Sequence, residues 1–575
     1  MRATVVLLFL CARAGAEDSL ISIGDQKYLA GTPTGGKIST LRYPTLGCPA
    51  IVKSGGTGTA WVKLGDGGAT FSFQLSIAPT VGGGPSTSLS TTGVQFDSAL
   101  GIYKVSYQVP ADVPDDTYDL TLSVPALSLS DSQPNCFRVV QNESSDFTFI
   151  AISDTHFATP TGFWSPGNYN GGSYNALSII EQMKKEIRAL RPTFVILSGD
   201  LMFGLDYKFE YDHVWKTWKD TGIPIFMAPG NHDGIAGIKD RWFLGLHSPV
   251  RDGLDFWRKY LGPCYYSFRF GGIHFQAVNT IDGTPERRDG FLIIIENYGG
   301  DLLPEQMDWI KNDLAGVGET VVPFFHHNPM GPYRENKTFG MWSWVLTRIW
   351  NWISTGNFTY ISQTWNTKST ADFLLAQYAN VPLVFCGHHH KDVLAKHGST
   401  TYREVTTSGA GGSGYWGYAV VRVENSQVTE HLYSPDPKFM SVPTGNLHVK
   451  RTDSEGADQT AQVTSGLSKS YEVTIPFDMP AASSYEAANG TIVQVAPLDS
   501  QKTRVWVKAV SPVAPGIKDP QTITVSVQAF GVVATAVAGS VESSGGGKSG
   551  GACGALGLEA LLALGLLFLR RRLPR

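Results

Sequence analysis

Five short apolar segments, each leading straight into polar residues, constrain the fold of this chain most strongly. Continuous apolar runs of this length are typical of strands buried on both faces of a sheet. Between the first two, apolar residues from Ala176 to Leu190 recur at intervals of three and four, which predicts an amphipathic helix ending before Pro192. Repetition of strand and helix predicts an α/β domain. The five segments read FIAIS, VILS, IFMAP, VPFF and PLVFC.

Each of these predicted strands is followed by side chains that bind metals in proteins. Each motif alone is weak evidence, because a single D-x-H is usually a turn and a doubled histidine before proline can simply end a strand. Ligands of open α/β sheets gather at the carboxyl ends of the strands, so we expect the five loops to meet in one crevice. The loops are Asp154-Thr155-His156, Gly199-Asp200, Gly230-Asn231-His232-Asp233, His326-His327-Asn328-Pro329 and Gly387-His388-His389-His390.

The order D-x-H, G-D, G-N-H-D, H-x-P, G-H-x-H resembles that of the calcineurin-like metallophosphoesterases. The resemblance covers about residues 146–436, and it includes LLPEQMDWIKNDLAG, which is similar to the helix that commonly precedes the H-x-P strand in the family. It implies an α/β metallophosphoesterase sandwich of two mixed β-sheets flanked by helices, with a site for two metal ions.

Carried over motif by motif, the resemblance also implies which residues hold the ions. His327 fits H-x-P, although the doubled histidine leaves His326 open as the ligand. His389 is the variable position of G-H-x-H and is not expected to be a ligand. The implied ligands are Asp154, His156 and His390 for the first ion, Asn231, His327 and His388 for the second, and Asp200 as the bridge.

The chemistry suits these residue types. Two divalent ions about 4 Å apart clamp the attacking and leaving oxygens of an in-line displacement and lower the pKa of a water between them. His232, beside Asn231, is expected to protonate the leaving alkoxide. The nitrogen and oxygen ligands permit Mn, Fe or Zn. Purple acid phosphatases carry a tyrosine ligand where Phe203 stands and lack the counterpart of His156, so an Fe(III)–tyrosinate site is not expected.

The expected function is hydrolysis of phosphate esters, with phosphodiesters favoured as substrates. A broad-specificity phosphomonoesterase is the alternative, and a surface-binding protein with a structural metal site is a third. A formal net charge of −4, without a basic stripe, gives no indication of a nucleic-acid-binding surface. The tryptophan-rich insert between His327 and His388 is either a packed extra element or a lid beside the metals. The oligomeric state stays open.

Short alternating segments flank the predicted α/β domain on both sides. TAWVKL, TFSFQLSI and YKVSYQV, separated by turn residues, predict an N-terminal immunoglobulin-like β-sandwich over residues 17–143. SYEVTIPF, TRVWVKAV and TITVSVQAF predict a small C-terminal β-domain over residues 440–535. At 575 residues the chain is long enough for three or four domains at roughly 150 residues each.

Both ends of the chain carry targeting signals. Residues 1–16, MRATVVLLFLCARAGA, have the charged start, apolar stretch and small-residue cleavage pattern of a signal peptide. Residues 536–575 form a Gly/Ser linker followed by Cys553, a short apolar segment and an arginine cluster, an order that resembles the myxococcal C-terminal sorting tag. That resemblance implies removal of the tail and display at the cell surface or outer envelope, or release; a plain membrane anchor predicts nearly the same location.

Export would permit disulfide bonds. Cys48 and Cys136 both lie in the first β-rich region, so we expect them to be bonded to each other. Cys264 and Cys386 have no assigned partner. The chain has no C-x-x-C motif, so a thiolate zinc site is not expected.

Overall fold

A computed structural model of the chain describes residues 21–31, 35–65, 67–157, 176–202, 207–234, 253–282, 295–296, 300–331, 361–362, 367–409 and 414–532. The predicted signal peptide, the predicted C-terminal segment with Cys553, Phe203 and nearly all of the tryptophan-rich insert lie outside the described residues. Within the described ranges, no helix is long and apolar enough to cross a membrane.

The N-terminal region is built almost entirely of strands, as the alternating segments predicted. Its elements are β1 (Ser22–Ile23), α1 (Gln26–Ala30), β2 (Leu41–Tyr43), β3 (Ala50–Lys53), β4 (Thr57–Val62), β5 (Gln74–Pro79), β6 (Thr87–Asp97), β7 (Ile102–Gln108), β8 (Asp116–Val124), a 3₁₀ turn (Pro125–Leu127) and β9 (Leu129–Val140). Eight of the strands pair in the order β2-β4-β7-β6-β5-β8-β9-β3.

The long strand β6 joins the two halves of this N-terminal sheet. One end of β6 pairs with β5 and the rest pairs with β7, with a register shift between Thr91 and Gly93. Alternate residues along β8 are buried, among them Leu120 and Leu122. Strand β1 leaves this region altogether and pairs with a strand of the following domain. An immunoglobulin-like topology for the region stays a prediction.

The α/β region begins with β10 and contains the helix predicted from the apolar spacing as α2. Its elements are β10 (Phe147–Ile152), α2 (Ala176–Leu190), β11 (Val195–Ser198), α3 (Tyr207–Trp218), β12 (Ile225–Ala228), α4 (Asn231–Gly234), α5 (Leu254–Tyr260), β13 (Tyr266–Phe270), β14 (Ile273–Ala277), β15 (Ile295–Glu296), α6 (Pro304–Leu314), β16 (Thr320–Phe324), β17 (Ile361–Ser362), α7 (Thr367–Gln377), β18 (Leu383–Cys386), β19 (Val393–His397), β20 (Thr400–Glu404), β21 (Gly417–Glu424), β22 (Gln427–Glu430) and β23 (Val442–Pro443).

Two mixed sheets form the frame of this region, as predicted. One has the order β12-β11-β10-β21-β22 and the other β1-β13-β14-β16-β18-β20-β19. Phenylalanine rings fill the space between them: Phe149 of the first sheet meets Phe275 and Phe385 of the second, with ring centroids 5.4 and 5.8 Å apart. Strands β10, β11 and β12 run parallel to one another, and so do β16 and β18. The loops at their carboxyl ends supply the site.

The C-terminal region consists of two antiparallel sheets that follow the α/β region. Its strands are β24 (Leu447–Asp453), β25 (Asp458–Ser465), β26 (Glu472–Pro480), β27 (Ala482–Ala488), β28 (Thr491–Pro497), β29 (Lys502–Val510) and β30 (Gln521–Val532). The sheet orders are β24-β25-β30-β27 and β26-β29-β28. Val463, Phe477, Val505 and Val527 are buried in this region.

The predicted disulfide between Cys48 and Cys136 is not formed in the structure, and that prediction was wrong. Both residues are buried thiols. The Sγ of Cys136 donates a hydrogen bond to the carbonyl of Gln133 in its own strand, at 3.1 Å. Cys48 lies beside Gly262 of the next domain, where an added Cβ would come within 3.7 Å of the Cys48 Cβ. Burial raises the pKa of both thiols.

A buried carboxyl group lies where α2 meets the start of the C-terminal region. The carboxylate of Glu186 accepts hydrogen bonds from the Tyr418 hydroxyl at 2.8 Å and from the Gly445 backbone N–H at 2.6 Å. The residue is fully buried. Burial raises the pKa of Glu186 from 4.5 to about 7, because the ionised form loses its hydration.

We predict that Glu186 makes the protein less stable as the pH rises. A carboxyl whose pKa is raised by folding stabilises the folded state fully when the pH is below the pKa that it has in the unfolded chain. That stabilisation is lost as the pH rises through the folded-state pKa of about 7. Glu186→Gln removes this titration, so between pH 5 and pH 8 the wild type should lose on the order of 2–3 kcal/mol relative to the variant. Apparent Tm values measured across this range should therefore diverge. Parallel curves for the two proteins would contradict the prediction.

Candidate metal centre

Two neighbouring groups of ligand-type side chains lie at the carboxyl ends of the buried strands. In each group, one ligand atom from every residue lies within 4.8 Å of the others. The groups gather residues from loops that are as far apart in the chain as Asp154 and His390. The first group is Asp154, His156, Asp200 and His390, and the second is His326, His327 and His388.

The first group is arranged around the imidazole of His156. Its Nε2 lies 3.1 Å from the Nε2 of His390, 3.4 Å from Oδ2 of Asp200 and 3.7 Å from Oδ1 of Asp154. These residues follow strands β10, β11 and β18. The carboxylates are completely or almost completely buried. Two carboxylate oxygens and two imidazole nitrogens therefore point at one small volume.

The second group is arranged around the imidazole of His326. Its Nε2 lies 3.0 Å from Oδ2 of Asp200 and 3.2 Å from Nδ1 of His388. The amide oxygen of Asn231 lies 3.1 Å from the same Nδ1 of His388. The Oδ2 atom of Asp200 is thus in contact with both groups.

The doubled histidine resolves into two different environments. His326 is fully buried, and its Nδ1 donates to the Ser198 carbonyl at 2.8 Å, which directs Nε2 toward Asp200. His327 instead contacts the Thr280 hydroxyl through Nδ1 at 2.7 Å, and its ring centroid lies 4.6 Å from that of His388. Pattern matching favoured His327, whereas the contacts with Asp200 belong to His326.

The backbone of the predicted ligands is unusual. Five of them adopt positive φ angles, in the left-handed region that side chains other than glycine rarely occupy. Such conformations persist where the surrounding structure imposes them, and they cluster at functional sites. The residues are Asp154 (55°), His156 (46°), Asp200 (56°), His388 (85°) and His390 (55°).

Two motif glycines are required by close approach. A Cβ at Gly230 would lie 2.2 Å from Oδ1 of Asp200. A Cβ at Gly387 would lie 1.8 Å from the Ser153 hydroxyl and 2.7 Å from Oδ2 of Asp154. Any side chain at either position would displace a carboxylate of the site, which explains why the ligands follow glycine in these motifs.

His232, the predicted proton donor, lies at the edge of the first group. Its backbone N–H donates to Oδ1 of Asp200 at 2.9 Å. Its ring meets that of His156 edge to face, with centroids 4.7 Å apart. The side chain is half-buried, so its imidazole borders both the ligands and the solvent side of the site.

Two carboxylates that support the site were not predicted from the sequence. Asp233 accepts hydrogen bonds from the backbone N–H groups of Asp200, Leu201, Met202 and Gly230 at 2.8–3.3 Å. As the last residue of G-N-H-D, it could have been singled out from its motif. Glu404 contacts Asn328 and His389, at 2.7 and 2.9 Å. No motif contains Glu404, so no sequence signal indicated it.

The charges of the site favour ionised carboxylates. Burial raises the pKa of Asp200, but the nearby His326 and His232 and a hydrogen bond from His156 hold it well below its usual range. Burial lowers the pKa of His326, and Asp200 outweighs this and raises it to about 9. Burial and the neighbouring histidines hold the pKa of His388 well below its ordinary value. The ionised carboxylates and the neutral imidazole of His388 are in the states that bind metals, whereas His326 has to release a proton when an ion binds.

The donor set fits divalent metal ions. Among the described residues, carboxylate oxygens, an amide oxygen and imidazole nitrogens converge without a thiolate, a combination suited to Mn, Fe or Zn. The two groups share Asp200, so the described residues offer one candidate site on each side of that carboxylate.

Residues 147–392 match the family model described as Calcineurin-like phosphoesterase. This segment contains all the residues of both ligand groups, together with Asn231 and His232. The match supports the family that the motif order resembles, for this part of the chain.

Two relatives match part of the chain. A protein of Fibrobacter succinogenes named probable cyclic nucleotide phosphodiesterase is 24% identical over 135 residues, which is 24% of this chain and 41% of that protein. One of Psychrobacter arcticus with the same name is 21% identical over 241 residues, covering 41% of this chain and 69% of the relative. The matched segment thus spans less than half of the first relative.

Solved structures resemble the chain more distantly. GAP50, described as the anchor in the inner membrane complex of Plasmodium, is 11% identical and covers 52% of this chain and 89% of that one, with a TM-score of 0.29. The protein TT1561 of Thermus thermophilus is 11% identical and covers 50% of this chain and 98% of that one, with a TM-score of 0.27.

Proposed function

We propose that the chain is a metal-dependent phosphoester hydrolase whose site binds two divalent ions and whose preferred substrates are phosphodiesters. One observation carries the proposal: Oδ2 of Asp200 lies 3.4 Å from His156 in the first ligand group and 3.0 Å from His326 in the second. A carboxylate shared by two sets of ligands is the arrangement that a two-metal site needs. The family match of residues 147–392 supports the same reaction class.

Each ion is assigned its own ligands in this proposal. The contacts of His326 with Asp200 and His388 support His326, in place of His327, as the histidine ligand from the H-H-N-P loop. His389 is turned toward Glu404 and is assigned no ligand role. The proposed ligands are Asp154, His156 and His390 for the first ion, Asn231, His326 and His388 for the second, and Asp200 for both.

The chain's own residues orient the reaction. When bound, the pair of ions supplies Lewis-acid polarisation of the phosphoryl group and lowers the pKa of nearby water. Asp200 fixes the spacing of the two ligand groups and, through Oδ1, the backbone of His232. His232 then donates a proton from its imidazole to the leaving alkoxide, because its ring borders the first group and is half-buried.

The preference for diesters rests on the relatives. Both relatives are named probable cyclic nucleotide phosphodiesterases, although neither reaches 25% identity. We therefore propose the diester as the substrate class and leave the organic group unspecified.

A panel of esters tests the proposal. The full chain, freed of metal and then reconstituted separately with Mn²⁺, Fe²⁺ or Zn²⁺, should hydrolyse bis-p-nitrophenyl phosphate with at least roughly tenfold higher kcat/KM than p-nitrophenyl phosphate, a difference of about 1.4 kcal/mol in transition-state binding. The reverse preference would contradict the diester assignment. Metal binding without turnover of any ester would favour a surface-binding protein with a structural metal site.

We also propose that the protein is exported and held at the cell surface. Residues 1–16 and the order of glycine-rich linker, Cys553, apolar segment and arginines support this location. If the tail is removed, peptides that run from Leu569 into Arg570 should be missing from surface-fraction protein. Recovery of such peptides would indicate a plain anchor.

A further inference from the structure

Glu404 ends a strand beside the loop that carries two of the proposed ligands. Strand β20 runs parallel to β18, and Glu404 stands opposite Cys386, the residue before the G-H-H-H loop. The side chain of Glu404 is almost completely buried, with 1% of its surface exposed. A carboxylate so placed needs partners, because an ionised group without them is costly to bury.

The partners of Glu404 come from two different ligand loops. Its Oε1 accepts a hydrogen bond from the Asn328 side-chain amide at 2.7 Å. Its two oxygens lie 3.0 and 2.9 Å from Nδ1 of His389. Asn328 follows His326 by two residues, and His389 stands between His388 and His390. One carboxylate therefore ties the H-H-N-P loop to the G-H-H-H loop.

This link between the two loops matters mainly for the second ligand group. That group depends on a nitrogen from each of the two loops, His326 Nε2 and His388 Nδ1, which lie 3.2 Å apart. The first group takes only His390 from these loops. The G-H-H-H loop has a separate link to the first group, because the His388 backbone N–H donates to Oδ2 of Asp154 at 3.0 Å.

We propose that Glu404 is a positioning residue, an inference that rests on the proposed function. It sets the distance between His326 and His388 and thereby the affinity of the second metal ion. Its side chain belongs to neither ligand group. It acts through Asn328 and His389, neither of which is an assigned ligand. Partners of this kind hold first ligands in place, and their loss typically weakens metal binding about 10–100-fold.

Glu404→Gln tests the proposal by calorimetric titration of the metal-free full chain with Mn²⁺. We expect one of the two binding steps, that of the second ion, to become about 10–100-fold weaker while the other step changes less than about threefold. At saturating Mn²⁺, kcat should return to within a few-fold of the wild type. Rescue by metal is a result that a general loss of folding would not produce.

Glu186→Gln is the matched control. It makes the same chemical change at an equally buried carboxyl, which accepts hydrogen bonds from Gln182, Tyr418 and Gly445, none of them in the ligand loops. Both Mn²⁺ steps should stay as in the wild type. If Glu404→Gln does not fold, Asn328→Ala removes only the hydrogen bond between Asn328 and Glu404 and should weaken the same binding step by a smaller factor.

Three outcomes would overturn the proposal. In the first two, Glu404→Gln leaves both steps unchanged or weakens them equally. In the third, excess Mn²⁺ fails to restore the turnover of a folded variant. A wild-type chain that binds no Mn²⁺ would instead contradict the proposed function, so the two failures are distinguishable.

Discussion

Asp200→Asn should deprive the protein of its metal ions and of its activity together. The Oδ2 atom of Asp200 contacts His156 in one ligand group and His326 in the other, and its Oδ1 accepts the backbone N–H of His232. Asparagine keeps the shape but removes the charge that two cations would share. We expect fewer than about one ion per chain and a fall in turnover of at least about 10³-fold.

Metal analysis by mass spectrometry and turnover of bis-p-nitrophenyl phosphate measure the two effects. Asp313→Asn is a control of the same chemistry, because Asp313 is a partly buried carboxylate hydrogen-bonded to Ser267, His274 and Gln276, none of which is a proposed ligand. It should keep two ions. An Asp200→Asn protein that also keeps two tightly bound ions would show that this carboxylate is not the bridge.

His232→Ala should separate metal binding from catalysis. The imidazole of His232 packs edge to face on His156, and its backbone N–H donates to Asp200, so alanine preserves the backbone hydrogen bond. The variant should keep close to two ions per chain while kcat falls about 10²–10⁴-fold, the usual effect of losing a positioned general acid. Esters with very good leaving groups should lose less, because they need little protonation.

The leaving-group dependence is the informative part of this experiment. Parallel assays on an alkyl ester and on a nitrophenyl ester, with metal analysis of the same preparations, give the comparison. Loss of the metals, or full activity on the alkyl ester, would remove His232 from the role of proton donor.

The frame of the α/β region was predictable because its signals are local. Continuous apolar runs identified β10, β11, β12, β16 and β18 before any contact between them was known. The spacing of three and four residues identified α2 in the same way. The motif glycines carry a further local signal: Gly230 and Gly387 leave no room for a Cβ beside the carboxylates.

The rest depends on contacts between distant residues, which spacing does not encode. Strand β1 pairs with β13, more than two hundred residues away. Cys48 lies beside Gly262 of the next domain and is not bonded to Cys136, although both cysteines lie in one β-rich segment. The choice between His326 and His327 depends on the Ser198 carbonyl and the Thr280 hydroxyl, neither of which lies in that loop.

The orientation of the ligand side chains could not be predicted from the sequence either. The positive φ angles of Asp154 and Asp200 turn their side chains into the site, and a pattern of residue types does not specify such angles. Glu404 occurs in no motif and reaches the ligand loops only through the pairing of β20 with β18. Supporting residues of this kind become visible once the sheets are assembled.

Whether two ions act together in one hydrolytic site can be measured by adding Mn²⁺ to metal-free protein while occupancy and phosphodiester turnover are followed in the same samples. We expect no turnover without metal and a rise that is complete only as occupancy approaches two ions per chain. Full turnover in the metal-free protein, or a maximum reached at one ion, would contradict it.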